Sequence, residues 1–416
     1  MERKKLVLLV GSIGLMLIVA VLPFVGACAP TPTPAPTPAP APAPAPAPPP
    51  EPIRIGAIVN LTGPIADMGP RFVDGIELAL DELNHQVAGR PLEIIVEDAA
   101  SNPTVALERF KKLHESDGVN LVIGPLMGDT HMAIAPYASE EEVLFACFIN
   151  GAQQVSTDYQ VMLQYPTTCF AQEIAAGWYL YEELGYRTAV TMGSDYACGH
   201  DFINGAMYGF EEKGGVRLEQ EIWAPIGTAD FAPYMATLPE KDEADVLVVF
   251  LSSGEDAARF LMAYNESGRD LPPVFELIVD VFTPQQYADL ADIVIGMHAQ
   301  STYLPLRDDP INNQFVEAFK AKYGRTPVIE QNSYTLLKIF AAALETTGGD
   351  DSFDVMWDAI TERNFETPQG PLYFTHRGVA ITDVYISEVQ RVGAEILPVL
   401  VKTYPGATAD PFVPEN

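Results

Sequence analysis

The chain has 416 residues, of which 56 are acidic and 24 basic, so its formal net charge at pH 7 is −32. A surface this acidic argues against nucleic acid and anionic lipid as partners, because both are themselves negatively charged. About 360 residues follow a proline-rich segment that ends at residue 52, which is enough for two ordinary domains or one bilobal unit.

The N-terminus has the pattern of an export signal. Basic residues occupy positions 3–5, an uncharged and mostly apolar run occupies 6–25, and small residues follow. Cys28 comes next, and this arrangement resembles the lipobox of bacterial lipoproteins. The resemblance implies cleavage before Cys28 and lipid on its sulfur and on the new N-terminus. The apolar run of about 20 residues is also long enough for an uncleaved membrane anchor. Both interpretations place the rest of the chain outside the cytoplasmic membrane.

A proline-rich segment separates this signal from the remainder of the chain. Residues 29–52 contain 13 of the 36 prolines, mostly in Ala-Pro and Thr-Pro alternation. Such a segment lacks a backbone donor at every second position and builds neither a helix nor a sheet. We therefore expect residues 28–52 to form a semi-rigid spacer, up to about 75 Å long at roughly 3.1 Å per residue.

Three cysteines follow Cys28, and an odd number cannot all pair. None lies in a CxxC motif, and no cysteine–histidine spacing resembles a zinc site. Cys147 lies in the apolar stretch 143–149, which predicts a buried small hydrophobic residue. The sequence leaves open a disulfide between Cys169 and Cys198, which would require an oxidising compartment.

From residue 53 the chain alternates short β-rich runs with amphipathic segments. Val73, Ile76 and Leu80 fall on one helical face. Asn102 followed by Pro103 is a favourable helix start. The predicted strands of this half are 53–59, 92–96, 121–123 and 143–148, and the predicted helices are 73–83, 103–113 and 130–139.

The alternation restarts after Thr167. The predicted helices are 171–184, 200–213, 230–238, 254–267, 284–291, 311–323, 330–346 and 352–361. The predicted strands are 188–192, 216–222, 246–251, 274–279, 293–297, 372–374, 383–389 and 396–402. Alternation of this kind gives parallel sheets covered by helices, and two consecutive sets predict an α/β protein with two doubly wound lobes.

Motifs for catalysis and cofactor binding are missing from the sequence. There is no GxGxxG after a predicted strand, no phosphate-binding P-loop, no HExxH and no GxSxG. The six histidines show no metal-ligand spacing, and His200 beside Asp201 is a neighbouring pair of a kind that rarely makes a catalytic dyad. We predict no cofactor, no metal and no enzymatic activity.

Several sequence segments, taken in their order along the chain, carry a family resemblance. They are 55–56, 61–64, 69, 75–79, 97–98, 102–103, 119–125, 193–199, 228–231, 315–327 and 365–374. In number and order they resemble the leucine/isoleucine/valine-type family of periplasmic solute-binding proteins, which feed ABC transporters. The resemblance covers about 53–402, nearly the whole of the chain after the spacer.

The resemblance implies the type I periplasmic binding fold, with two α/β lobes joined by three crossovers and a ligand in the cleft between them. Hinges are expected near Thr167, Tyr303 and Gln369. The implied lobe I is 53–167 with 303–369, lobe II is 168–302 with 370–405, and 406–416 is a tail. Loops at the carboxyl ends of parallel strands, with their helix N-termini, should line the cleft.

Carrying the family's binding loops over to this sequence implies a set of ligand-binding residues. They are Met68, Gly69, Gly128, Asp129, Thr130, Asn150, Gly151, Ala152, Gln153, Phe170, Tyr196, Ser252, Ser253 and Asp280. Asp129 is a departure, since relatives that bind amino acids usually have Ser or Thr in this loop. Asp129 can equally cap the helix that starts beside it, Ser252 and Ser253 can cap the helix at 254, and Asp280 can be a solvated loop acid.

The function implied is that of an extracytoplasmic, lipid-anchored solute-binding protein of an ABC importer. Its expected partners are a small polar solute, an amino acid or an analogue, and a membrane permease, and the protein is expected to act as a monomer. A ligand-sensing receptor ectodomain of the same fold is the alternative. An exported α/β enzyme is disfavoured by the missing catalytic motifs.

Overall fold

A computed structural model describes residues 50–277 and 282–413 of the chain. The predicted signal segment, Cys28, most of the spacer and Asp280 lie outside the described residues. Across the two described ranges, none of the helices combines the length and the apolar character that crossing a membrane requires.

The chain first builds most of lobe I. The strands are β1 (Ile53–Val59), β2 (Gln86–Val87), β3 (Arg90–Asp98), β4 (Leu121–Ile123), β5 (Leu144–Ala146) and β6 (Met162–Leu163), and the helices are α1 (Gly69–Glu82), α2 (Pro103–Glu115), α3 (Gly128–Glu140) and α4 (Gln153–Asp158). The sheet order is β2-β3-β1-β4-β5-β6, and all pairings are parallel except the β2–β3 hairpin.

The chain then crosses into lobe II. Its helices are α5 (Cys169–Glu182), α6 (Ala197–Glu212), α7 (Ala232–Met235), α8 (Gly254–Glu266), α9 (Pro284–Asp289) and α10 (Ala291–Val294), and its strands are β7 (Thr188–Ser194), β8 (Val216–Ala224), β9 (Val246–Phe250), β10 (Val274–Glu276) and β11 (His298–Ser301). The predicted strand at 293–297 is wrong, because α10 occupies its first half and β11 begins only at His298.

The chain returns to lobe I and then to lobe II. The lobe I elements are α11 (Pro310–Tyr323), α12 (Glu330–Thr347), α13 (Phe353–Thr361) and a small antiparallel sheet of β12 (Asn364–Thr367), β13 (Gly370–Phe374) and β14 (Ala380–Ile381). The final hairpin, β15 (Val384–Val392) and β16 (Glu395–Tyr404), completes a seven-stranded sheet in the order β16-β15-β11-β10-β9-β7-β8.

The third crossover differs from the boundary expected at Gln369. β12 pairs with β13 across this residue, and Val379 forms a bridge with Gln164 of lobe I. The chain therefore passes to lobe II after β14, near Thr382. The expected tail is also packed against the hinge, since Thr408 is fully buried and its hydroxyl accepts a hydrogen bond from the backbone N–H of Thr382 at 2.8 Å.

Two hydrophobic cores follow from the two faces of the sheets. The larger core joins lobe I to the α5–α6 face of lobe II, and the second lies between the other face of lobe II and α7–α10. On β9 the buried residues alternate between the cores: Val248 belongs to the first, whereas Leu247 and Val249 belong to the second. This period of two explains the continuous apolar run of the strand.

Glu276 places a carboxyl group inside the second core. It is fully buried on β10, in register with Val249 and Ala299. Burial raises the pKa of Glu276 well above its usual range, and the nearby backbone N–H of Leu251 opposes the shift only in part. The side chain is therefore held protonated at pH values at which the unfolded chain ionises it.

We expect Glu276→Met to raise the free energy of unfolding at neutral pH, because folding keeps this carboxyl group protonated while the unfolded chain ionises it. Because the pKa of Glu276 is raised in the folded state, its destabilisation of the wild-type protein is absent below about pH 4.5. The destabilisation grows as pH rises towards the folded-state pKa. Urea unfolding at about pH 4.5 and about pH 7 measures this difference. The exposed strand residue Glu219 supplies the control Glu219→Met, and an equal gain at both pH values would contradict the explanation.

Candidate functional site

A cavity lies between the two lobes. Its lining from lobe I consists of Ile65, Met68, Leu126, Met127 and Ile149. Its lining from lobe II consists of Tyr196, Cys198, Phe202, Ile226, Phe250 and Ser252. Nine of these eleven residues are apolar, so the cavity is a hydrophobic site with few polar groups.

The lobe I wall is built from loops at the carboxyl ends of three neighbouring parallel strands. Met68 follows β1, Met127 follows β4 and Ile149 follows β5. These strands are adjacent in the order β1-β4-β5, so their loops meet at one edge of the sheet. The wall therefore depends on the strand order rather than on any single sequence motif.

The lobe II wall carries three aromatic rings. The Phe202 and Phe250 rings have centroids 4.3 Å apart, and the Tyr196 ring lies 6.3 Å from Phe250. Burial raises the pKa of Tyr196 far above its ordinary value, and the nearby carboxylates of Asp129 and Asp201 raise it further. The Tyr196 hydroxyl is thus a neutral group at physiological pH, suited to hydrogen bonding.

Ser252 supplies the second side-chain hydroxyl of the cavity. The Ser194 hydroxyl lies 3.3 Å from the Ser252 hydroxyl and accepts a hydrogen bond from the Ser252 backbone N–H at 3.1 Å. Ser253 next to it faces elsewhere, since its hydroxyl accepts from the Asp256 N–H at 3.1 Å and caps α8. Of the two capping alternatives, the structure assigns that role to Ser253 and the cavity to Ser252.

A disulfide joins Cys169, the first residue of α5, to Cys198 in the cavity wall, with a Cα–Cα distance of 5.6 Å. The pairing that the sequence left open is therefore present. Cys147 is fully buried, as its apolar surroundings predicted, and burial raises the pKa of its thiol to about 12. Such a thiol is unreactive at physiological pH.

Asp129 makes a contact between the lobes. Its Oδ1 accepts a hydrogen bond from the backbone N–H of Ala197, the first residue of α6, at 3.2 Å. Its own helix α3 has Met127 at the N-cap, and that residue makes no side-chain capping bond. The expected cap on the helix beside Asp129 is therefore not the contact that forms, and the carboxylate instead accepts the first N–H of α6 in the opposite lobe.

Gln153 makes a second contact between the lobes. Its backbone N–H, at the start of α4, donates to Oδ2 of Asp201 on α6 at 3.3 Å, and its side chain donates to Asp410 at 2.9 Å. Burial raises the pKa of Asp201 to about 6; the Gln153 N–H and His200 oppose the shift, and Asp410 adds to it.

Asp410 ties residues 406–413 to the hinge. Besides the bond from Gln153, its Oδ2 accepts from the Thr168 hydroxyl at 2.6 Å. The Thr167 hydroxyl donates to the Thr408 carbonyl at 2.9 Å. The C-terminal segment thus runs beside the first crossover and bonds to it directly.

The structure separates the predicted site residues into groups. Met68, Tyr196 and Ser252 line the cavity. Gly128, Asp129 and Gln153 lie in the interlobe contacts. The supporting residues of the loops are Gly69, Thr130, Asn150, Gly151, Ala152 and Ser253. Phe170 packs outside the cavity, against Tyr208 and Phe412. Asp280 lies outside the described residues.

Two of the supporting residues illustrate why the binding loops do not all face the cavity. A Cβ on Gly69 would lie 2.0 Å from the Asn60 carbonyl oxygen, so the glycine is required by the close approach of α1 to the end of β1. The Thr130 hydroxyl donates to the Met127 carbonyl at 2.5 Å and is fully buried. Both residues shape the loop rather than the cavity surface.

Sequence reasoning missed most of the apolar lining. The missed residues are Ile65, Leu126, Met127, Ile149, Cys198, Phe202, Ile226 and Phe250. Ile149 directly precedes the predicted Asn150, and Phe250 lies two residues before the predicted Ser252. Each of these two is an apolar residue at the end of a predicted strand, close to the polar residue that the family resemblance implied.

The sequence profile of the periplasmic binding protein family matches residues 52–394. The chain belongs to this family. Leu/Ile/Val-binding protein homolog 6 of Brucella melitensis is 23% identical over 82% of this chain and 88% of the relative. The resemblance to the leucine/isoleucine/valine type is confirmed. The periplasmic binding proteins of this type are substrate-binding components of transporters rather than enzymes.

Two solved structures share the fold of this periplasmic binding protein. An ABC transporter substrate-binding protein from Sphaerobacter thermophilus has a TM-score of 0.78 and 29% identity, covering 86% of this chain and 98% of that protein. A solute-binding protein of an ABC transporter from Rhodopseudomonas palustris BisB5, in complex with 3,4-dihydroxybenzoic acid, has a TM-score of 0.79 and 24% identity, covering 85% and 98%. The family implies an extracytoplasmic location, a small solute and a permease partner.

Proposed function

We propose that this protein captures a small solute with a mainly apolar body between its lobes and delivers it to the permease of an ABC importer. The observation that carries the proposal is the lining of the interlobe cavity, in which nine of eleven residues are apolar. Burial of apolar surface contributes roughly 25 cal/mol per Å², so the body of the solute supplies most of the affinity. The hydroxyls of Tyr196 and Ser252 orient it.

Two solute classes have an apolar body that fits this lining. The ring of an aromatic compound can stack or pack edge-on against Phe202, Phe250 and Tyr196. The Rhodopseudomonas palustris neighbour in complex with 3,4-dihydroxybenzoic acid supports this class. The second class is amino acids with branched aliphatic side chains, which the name of the Brucella relative supports. The aromatic class is favoured because three aromatic rings stand on the lobe II side of the cavity.

The membrane attachment is part of the same proposal. We propose removal of residues 1–27, lipid on Cys28 and a spacer to residue 52, which holds the two lobes away from the membrane surface while the solute is captured. Mass spectrometry of the protein purified from membranes measures the lipid directly. A Cys28→Ser variant should be recovered without lipid.

A thermal-shift screen tests the proposed function. The chain without residues 1–27 is heated with aromatic compounds, branched-chain amino acids, amides, sugars and polyamines. Binding to the native state stabilises it by about 2.7 kcal/mol at a ligand concentration of 100 times Kd, which raises Tm. A shift with aromatic or branched aliphatic compounds supports the proposal. A shift confined to sugars or polyamines contradicts it.

Ile149 offers a direct test of the cavity. We expect Ile149→Asp to weaken binding of the solute found in the screen by about a hundredfold or more, because it places an unpaired carboxylate in an apolar site. Ile149→Val removes one methylene and should cost no more than about tenfold. Isothermal titration calorimetry measures both, and circular dichroism confirms folding. An Ile149→Asp protein that folds and binds like the wild type would show that the solute lies elsewhere.

A further inference from the structure

Two helices of opposite lobes meet end to end beside the cavity. α3 begins at Gly128 in lobe I, and α6 begins at Ala197 in lobe II. A Cβ on Gly128 would lie 2.6 Å from Cys198 Sγ, so the first turns of the two helices are in direct contact. Tyr196, the N-cap residue of α6, makes no side-chain capping bond. The start of α6 therefore takes its polar partner from the other lobe.

The ends that meet here carry the same sign of charge. The first backbone N–H groups of a helix have no partner within it, and its N-terminus carries about half a positive charge. Such an end binds anions readily. Asp129 stands in the first turn of α3 and accepts the hydrogen bond of the Ala197 N–H at 3.2 Å. One carboxylate therefore stabilises both helix ends.

We infer that Asp129 is an internal counter-ion that takes the place of a solute carboxylate where α3 and α6 meet. The cleft therefore selects solutes that carry no charge on the part nearest the starts of these two helices. The inference rests on the proposed function and narrows its solute class. Asp129 stands two residues after Met127 and bonds to Ala197, which follows Tyr196, and both Met127 and Tyr196 line the cavity. A solute carboxylate in the cavity would therefore lie near the Asp129 carboxylate, and like charges repel. Uncharged amides and alcohols with an aromatic or branched aliphatic body avoid this repulsion.

In the second interlobe contact the acid comes from lobe II and the helix start from lobe I. Asp201 of lobe II accepts the N–H of Gln153, at the start of α4 in lobe I, at 3.3 Å. The buried carboxylate of Asp410 lies beside it, bonded to the Gln153 side chain. Each lobe thus supplies an acid to a helix start of the other. Both contacts make the surroundings of the cleft acidic and add to the disadvantage of an anionic solute.

Matched acid–amide pairs test the inference. Dissociation constants of benzoate and benzamide, and of 4-methylpentanoate and its amide, are measured by calorimetry for the wild type and for Asp129→Asn. We expect the wild type to bind each amide at least about tenfold more tightly than its acid, and Asp129→Asn to reduce this ratio by about tenfold. The control is Asp195→Asn, which removes a 58% exposed acid near the same helix start and should leave the ratio unchanged. Acids that bind the wild type as tightly as amides, or a ratio that Asp129→Asn leaves unchanged, would overturn the inference.

A second measurement needs no solute. In Asp129→Gly the position of the carboxylate is open, and acetate should occupy it between the helix ends. We expect acetate, compared with acetamide at equal ionic strength, to raise Tm of Asp129→Gly by about 2 °C or more and that of the wild type by less. If no compound of the acid–amide panel binds the wild type, the proposed function is weakened while acetate rescue still supports the role of Asp129. Equal responses of both proteins to acetate would overturn that role.

Discussion

Replacing Glu330 by alanine is expected to lower the free energy of unfolding by about 3–5 kcal/mol, because it breaks a buried ion pair on one side only. The Glu330 side chain is fully buried at the start of α12, and its Oε1 accepts from Arg71 Nε at 3.0 Å. Arg325 pairs with the same carboxylate, and Oε2 accepts from the Val328 N–H at 2.6 Å. The substitution leaves the Arg71 guanidinium, only 8% exposed, without this counter-charge.

The same carboxylate should make stability depend on pH in a defined direction. Burial alone would raise the pKa of Glu330, but Arg71 and Arg325 outweigh it and lower the pKa below its ordinary value. A carboxylate with a lowered folded-state pKa contributes stability above its unfolded pKa of about 4.5, and the contribution is lost as pH falls through the folded pKa. The difference between wild type and Glu330→Ala should therefore shrink in acid.

Urea unfolding at neutral pH and in acid measures both effects. Glu317→Ala is the control, because Glu317 is an exposed glutamate on the neighbouring helix α11. We expect it to change the free energy of unfolding by less than about 0.5 kcal/mol. A loss below about 1 kcal/mol in Glu330→Ala would mean that the chain relaxes around Arg71, and the account of this network would be wrong.

Removing the disulfide is the second change with a large expected effect. Cys169 and Cys198 are 29 residues apart, and a cross-link closing a loop of this length stabilises the folded state by roughly 3–4 kcal/mol in the chain-entropy account. The double variant Cys169→Ser/Cys198→Ser should lose about this amount. Because Cys198 lines the cavity and touches Gly128 of lobe I, solute affinity should fall as well.

Chemical unfolding with and without a reducing agent measures the contribution of the bridge. The reduced wild type should approach the stability of the double variant, and the double variant itself should not respond to the reducing agent. Thiol counting by mass spectrometry supplies the control. Within residues 50–277 and 282–413, the oxidised protein should carry its free thiol at Cys147. Equal stability of the oxidised and reduced wild type would contradict the expected stabilisation.

The sequence predicted the helices and strands whose formation depends mainly on neighbouring residues. The Asn102–Pro103 start of α2 is present, with the Asn102 side chain accepting the N–H groups of Thr104 and Val105. The strand predicted at 293–297 failed because a short apolar run does not distinguish a strand from a buried helical turn. The real strand β11 has the sequence His-Ala-Gln-Ser and is held by its neighbours β10 and β15. Tertiary pairing, not residue preference, creates it.

The candidate site shows the same difference between what the sequence predicts and what tertiary contacts decide. The sequence predicted that loops at the carboxyl ends of parallel strands line the cleft, and Met68 after β1 and Tyr196 after β7 line the cavity. It could not predict that Asp129 bonds to Ala197, a residue 68 positions later in the other lobe. That contact exists only once both sheets have formed and the lobes face each other.

The sequence by itself determined the family, the alternation of strands and helices and the loops that reach the cleft. The tertiary structure decided which residues in those loops line the cavity. Helix ends that become buried need partners for their N–H groups, and the polar side chains of Asp129 and Ser253 serve this need. Their apolar neighbours Met127 and Phe250 are left to line the cavity. The cleft is therefore apolar although its loops are rich in polar residues.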